Sequence, residues 1–145
     1  MKLIDYVKFN EGCRLASYRD QFGKWTIGYG HTGPEVVEGM SCTQAQADEW
    51  LPLDLAKAEA GARQVVGREA WLILNPIRRI IITDMVFQMG PRGVGKFIRT
   101  LGFVRKGDWH AAAAAMLQSL WAKQTPNRAA RNVAMMLTGL PFFGE

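Results

Sequence analysis

The sequence predicts an α+β fold that is mostly helical: a small N-terminal lobe built on a β-hairpin, a long connecting helix and a larger helical C-terminal lobe. Three observations predict it. Residues 13–33 carry glycines at 23, 28, 30 and 33 and aromatics at 18, 22, 25 and 29, and from Lys24 the pattern alternates as in a strand. Thr43-Gln44-Ala45-Gln46 reads as a capping box opening a long helix toward Val66. Beyond Asn75, apolar residues recur at spacings of three and four almost to the end of the chain. A hydrophobic content of 48% with 21% charged residues fits a globular domain and excludes disordered and fibrous classes.

Leu3, Ile4 and Val7 mark a short first helix ending near Glu11, with Gly12 as its stop. In the hairpin, Asp20-Gln21-Phe22-Gly23 forms the loop, Trp25, Ile27 and Tyr29 face one way, and Thr26, Gly28 and Gly30 the other. Residues 33–42 read as an irregular connection. Pro52 falls inside the long helix, where proline kinks or breaks it. Asn75-Pro76 is a cap followed by proline at the first helical position; Ile77, Ile80, Ile81, Asp84, Met85 and Gln88 follow, to a stop at Gly90-Pro91. Phe97, Ile98, Leu101 and Val104 mark another helix, ended by Gly107. Asp108 caps a helix running through Ala111–Ala115 to about Lys123, and Thr125-Pro126 opens a last one closed by Gly139. Trp50, Trp71, Trp109 and Trp121 read as core.

Charge is unevenly distributed. Residues 76–145 hold ten Lys/Arg against three Asp/Glu, a net +7, while the chain as a whole carries +5. Such a half points to an anionic partner: nucleic acid, an anionic cell surface or an acidic polymer. Cys13 and Cys42 are too few for a disulfide scaffold and read as free thiols. No run approaches 18 apolar residues, and the first residues lack the apolar stretch of a signal peptide. The expectation is a chain made in a cytoplasm and retained there until something releases it.

One polar cluster stands in an unusual setting. Glu11 closes a helix, where the macrodipole disfavours a carboxylate, and apolar neighbours favour the protonated acid that general acid catalysis needs. Asp20, in the hairpin loop, is expected to stay solvated and ionised. Thr26 lies on the glycine face of its strand, where Gly28 and Gly30 leave room for a bulky ligand, and its hydroxyl can orient a water against Asp20. Two carboxyl groups in unlike environments flanking a groove is the arrangement glycoside hydrolysis uses. The same three residues also read as a helix-end glutamate, a turn aspartate and a strand threonine.

The run from Glu11 through Asp20 to Thr26-Ile27-Gly28-Tyr29-Gly30-His31 resembles the active-site signature of the glycoside hydrolase family 24 phage lysozymes. The C-terminal half resembles the T-even type of that family in Met85-Val86-Phe87-Gln88-Met89-Gly90, Gly93-Val94, Phe97, Trp121 and Gln124-Thr125-Pro126-Asn127-Arg128-Ala129. The resemblance implies a lysozyme-like fold, with a small lobe over about residues 12–45, a connecting helix over 43–66, and a helical lobe over 67–145 packed with helix 1–11. It implies an inverting muramidase that cuts the β-1,4 bond between N-acetylmuramic acid and N-acetylglucosamine, with Glu11 as general acid, Asp20 as second carboxylate and Thr26 holding the water. Gly30, Thr32, Phe87 and Thr100 match substrate-cleft positions, although Thr32 replaces an apolar residue and Ala115 a polar one. His31 matches a structural histidine whose partner is Asp54. The connection after Gly33 is shorter than in the T-even type. The implied partners are peptidoglycan and a holin that gives access to it, with no nucleic acid, no cofactor, no metal and a monomeric chain. Two alternatives stand beside it: a lytic transglycosylase, which needs no water-holding carboxylate, and a non-catalytic basic domain binding wall or nucleic acid through Arg78, Arg79, Arg92, Lys96, Arg99, Arg105 and Lys106.

Overall fold

Eight helices and one two-stranded antiparallel sheet make up the computed structural model, which describes residues 1–144. The chain divides into two units, one spanning Lys2–Lys57 and the other Met1 with everything from Ala58 onward. The α+β, mostly helical class expected from the sequence is the class observed.

In the first unit, α1 (Leu3–Glu11) ends where Gly12 takes φ 64° and returns its N–H to the Lys8 carbonyl. Its buried residues are Tyr6 and Val7. α1, expected with the helical lobe, falls in the first unit, where Gly12 leads it directly into the sheet. β1 (Arg14–Arg19) pairs with β2 (Trp25–Gly28) in the register Tyr18↔Thr26 and Arg19↔Trp25, with an irregularity between Arg14 and Tyr18. β1 is also bridged at Ala16 to Ser41, and Cys42 donates its N–H to the Leu15 carbonyl at 2.8 Å. The expected alternation stops at Gly28, where the backbone turns to φ 66° and Ile27 and His31 exchange hydrogen bonds across a tight reversal. Tyr29 and Gly30 therefore lie in that reversal and not on a strand.

The expectation that Gly28 leaves space for a ligand is corrected here. A Cβ on Gly28 would meet the Ala47 Cβ at 3.2 Å and the Trp50 ring at 3.6 Å. The missing side chain admits a helix.

That helix is α2 (Gln44–Val66), which starts in the first unit and ends in the second. The Thr43 hydroxyl accepts the Gln46 N–H at 3.1 Å, the first half of a capping box. α2 is continuous through Pro52. Proline removes the donor for the Asp48 carbonyl, but both residues are exposed, so water can take its place.

The second unit continues with α3 (Arg68–Ile73), α4 (Pro76–Gly95), α5 (Ile98–Lys106), α6 (Trp109–Leu117), α7 (Leu120–Gln124) and α8 (Pro126–Thr138). Ile81, Ile82, Met85, Val94, Val104, Met116 and Met136 are essentially inaccessible. The stop expected at Gly90-Pro91 is a break of one residue: Gly90 sits at φ 77°, ψ 163°, and Pro91 restarts the helix. The helix expected from Asp108 to Lys123 is two helices. The Ser119 hydroxyl donates to the Met116 carbonyl at 2.7 Å and accepts the Ala122 N–H at 3.2 Å, closing one helix and capping the next.

Several arginines of this unit are structural. Arg78 donates through Nε to the Met136 carbonyl and through Nη2 to that of Leu137, at 2.8 and 3.2 Å, capping the end of α8. Arg79 does the same for Trp71 and Leu72 at the end of α3, and Arg105 for Val65 and Val66 at the end of α2. Arg128 grips the fully buried Asp84 through Nε at 3.0 Å and Nη2 at 2.7 Å, and Asn132 adds a third bond at 2.9 Å. Replacing one member of such a pair removes the partner that compensated a buried charge. Asp84→Ala is expected to destabilise the protein by about 3–5 kcal/mol, read from urea unfolding.

Candidate active site

Asp20 and Thr26 are both hydrogen-bonded to the backbone of Lys24. Asp20 closes a turn, with its carbonyl accepting the Gly23 N–H at 3.0 Å, and Gly23 takes φ 79°. The Asp20 Oδ1 accepts two backbone N–H groups, from Phe22 and from Lys24, each at 2.9 Å. The Lys24 carbonyl accepts the Asp20 N–H at 2.9 Å and the Thr26 hydroxyl at 3.0 Å. Two successive peptide groups thus hold both side chains. Thr26 is 2% accessible, so its hydroxyl keeps one orientation: its proton goes to Lys24, and its lone pairs face the other way. Glu11, half-buried, is the last residue of α1.

Around His31 the same unit carries a second constellation. Its Nδ1 lies 2.7 Å from Asp54 Oδ2 and its Nε2 lies 2.9 Å from Glu35 Oε1. The ring stacks on Trp50 with centroids 4.2 Å apart and planes 7° from parallel. Glu35 is the member that sequence reasoning missed. Its spacing of four from His31 gives no signal in an irregular connection, where the local backbone decides which side chains meet.

Gly30 and Thr32 lie in the first unit, Gly30 at φ 72° and Thr32 exposed. Phe87 and Thr100 lie in the second. Phe87 is half-buried on α4, and Thr100 is buried on α5, lining a cavity of about 390 Å³ with Lys96, Arg99, Ala115 and Trp121. The neighbouring Gln88 accepts the Trp121 indole N–H at 2.8 Å. Trp25 is half-buried beside Thr26, while Trp71 and Trp121 are core. Cys13 and Cys42 are free thiols, and burial raises the Cys42 thiol above its ordinary value, with Cys13 adding to it. No helix among the described residues is long and apolar enough to cross a membrane.

A family model described as phage lysozyme matches residues 8–136. Among curated proteins, the chain is 32% identical to the pre-baseplate central spike protein Gp5 of Enterobacteria phage T4, over 96% of its own length but only 28% of that protein's. It is 26% identical to the probable T4-type lysozyme 2 of Dictyostelium discoideum, over 94% of both chains. It is 30% identical to an endolysin of Acyrthosiphon pisum secondary endosymbiont phage 1, covering 83% of this chain and 77% of the other.

The Glu35 carboxyl sits below its ordinary value of 4.5, first because its own backbone N–H bonds to it and then because His31 does. A depressed folded value means that the stability it contributes is present above about pH 4.5 and is lost as pH falls through the folded value. Glu35→Gln is expected to flatten the acid limb of the melting temperature measured between pH 6 and pH 3. A curve superimposable on wild type below pH 4.5 would remove Glu35 from the acid response.

Proposed function

This chain belongs to the phage lysozyme family, and on that premise we propose that it is an endolysin. It hydrolyses the β-1,4 bond between N-acetylmuramic acid and N-acetylglucosamine in bacterial peptidoglycan. Glu11 is the general acid that protonates the leaving glycosidic oxygen. Asp20, ionised, takes a proton from a water as that water attacks the anomeric carbon from the opposite face, and Thr26 holds the water.

The observation that carries this reading is the Lys24 backbone bridge. Because the Thr26 proton is committed to the Lys24 carbonyl, its oxygen can only accept from a water. A water donating to Thr26 and to Asp20 has a lone pair left for the anomeric carbon. A lytic transglycosylase has no use for this pair of acceptors. The nucleic-acid reading loses its footing as well, since Arg78, Arg79 and Arg105 are engaged with helix carbonyls. Gly30, Thr32, Phe87 and Thr100 contact the glycan or its substituents, and the His31–Asp54 pair is structural. The protein acts as a monomer and reaches the wall once a holin has permeabilised the membrane.

Glu11→Gln removes the proton donor while keeping the side chain's shape, and is expected to lower the rate about 10²–10⁴-fold. Turbidity loss of permeabilised cells reads this directly. Clearance near the wild-type rate would sink the assignment of Glu11. The reaction is inverting, so the carboxyl groups of Glu11 and Asp20 stand roughly 6.5–9.5 Å apart when substrate is bound, leaving room for the water. The first product is then the α-anomer by proton NMR, and a β-anomer would make Asp20 a nucleophile.

A further inference from the structure

Arg19 immediately precedes Asp20 and, by register, stands directly opposite Trp25. Its guanidinium lies over the Trp25 ring, 4.8 Å from the centroid, and its Nη1 donates to the Gly23 carbonyl at 3.3 Å. The Gly23 carbonyl and the Lys24 N–H belong to one planar peptide group. The far side of that group donates to Asp20 Oδ1 at 2.9 Å. Arg19 and the Asp20 carboxylate therefore hold opposite ends of a single peptide plane.

We propose that Arg19 is a positioning residue for Asp20, acting through the Gly23–Lys24 peptide. The argument has two parts. A cation on the carbonyl oxygen polarises the amide and strengthens its N–H as a donor, the cooperativity expected along a hydrogen-bond chain. The stack on Trp25 holds the guanidinium in one place, so the peptide plane is held against rotation about the bonds flanking it, where the Gly23 backbone would otherwise turn freely. Rotation of this plane would swing the Lys24 N–H away from Asp20. Arg19 has a planar donor fork that stacks and donates at once, which lysine cannot reproduce.

The inference rests on Asp20 being catalytic, and the experiment separates the two claims. Arg19→Met keeps the aliphatic stem and removes donor and charge; Arg19→Lys keeps the charge alone. On a soluble peptidoglycan fragment, Arg19→Met is expected to lower kcat about tenfold with KM within twofold, since small misplacements of reacting groups cost rates of this order. Arg19→Lys is expected to stay closer to the methionine variant than to wild type. Amide hydrogen exchange at Phe22 and Lys24 is expected to speed up in both variants, while the Ile27 amide, bonded to the His31 carbonyl, keeps its protection. A wild-type kcat with unchanged exchange at Lys24 overturns the proposal. So does a rise in KM alone, which would make Arg19 a substrate-attracting charge, or an equal loss of protection at Ile27, which would make it a general stabiliser. Full activity in Asp20→Asn would end the catalytic reading of Asp20, while exchange at Lys24 in Arg19→Met would still decide whether the arginine controls the peptide.

Discussion

Two hydrogen-bonded peptide groups on either side of Lys24 set the geometry of this site. One donates its N–H to Asp20; the next accepts at its carbonyl both the Thr26 hydroxyl and the Asp20 N–H. For a carboxylate and a hydroxyl to share one water, as proposed for Asp20 and Thr26, they must be held within a fraction of an ångström, and flexible side chains on a short hairpin do not achieve that by themselves. Planar peptides do, because each fixes its donor and acceptor on opposite sides of a rigid unit. The strand register decides which peptides face inward. With Tyr18 opposite Thr26 and Arg19 opposite Trp25, residue 24 falls beside Asp20; a slip of one residue would send Thr26 to the other face.

The hairpin is in turn fixed at its base. Gly28 lets α2 approach until Ala47 is at contact distance, and Trp50 from the same helix stacks on His31. His31 is tied to Asp54 on α2 and to Glu35 in the connection. Helix, reversal and loop therefore meet at one aromatic stack. The outer end of the hairpin carries the residues proposed for the chemistry, and its inner end is anchored where a side chain at residue 28 would crowd Ala47 and strain a backbone at φ 66°.

What was legible in the sequence followed how local each signal is. The end of α1 at Gly12, the Asp20–Gly23 loop, the start of α2 behind Thr43, the Asp108 cap and the αL close at Gly139 are each set by neighbours within four residues, and each lies where the sequence placed it. Elements decided by tertiary packing or by competition between signals were less legible. Pro52 is tolerated because its face of α2 is exposed. Ser119 overrides an otherwise continuous apolar period to split α6 from α7. The short α3 has too few residues to show a period. At the site, the spacing of Glu11, Asp20 and Thr26 was readable, whereas the part played by Lys24 was not, since it bonds Asp20 and Thr26 through its backbone. Glu35 and Arg19 likewise matter through bonds whose partners no residue pattern encodes.

Net charge is a further case in which composition and structure part. The +7 of residues 76–145 points to an anionic partner, yet Arg78, Arg79 and Arg105 terminate helices and Arg128 neutralises a buried aspartate. Burial pulls the Arg78 guanidinium below its ordinary value, while the carbonyls it bonds and the Trp109 ring 4.0 Å away favour its charged form. Guanidinium suits these places because its planar fork holds two donors in a fixed geometry toward two successive carbonyls, where an ammonium sits on a flexible stem. The cations free of such roles are fewer. Lys96 and Arg99 border the cavity that Thr100 lines, with Arg99 sharing Gln118 at 3.5 Å. Arg92, Lys106 and Lys123 are exposed as well, so the rim of that cavity holds only part of the charge of this half, and the field of each of these cations falls away within a Debye length of about 8–10 Å at 0.1–0.15 M salt.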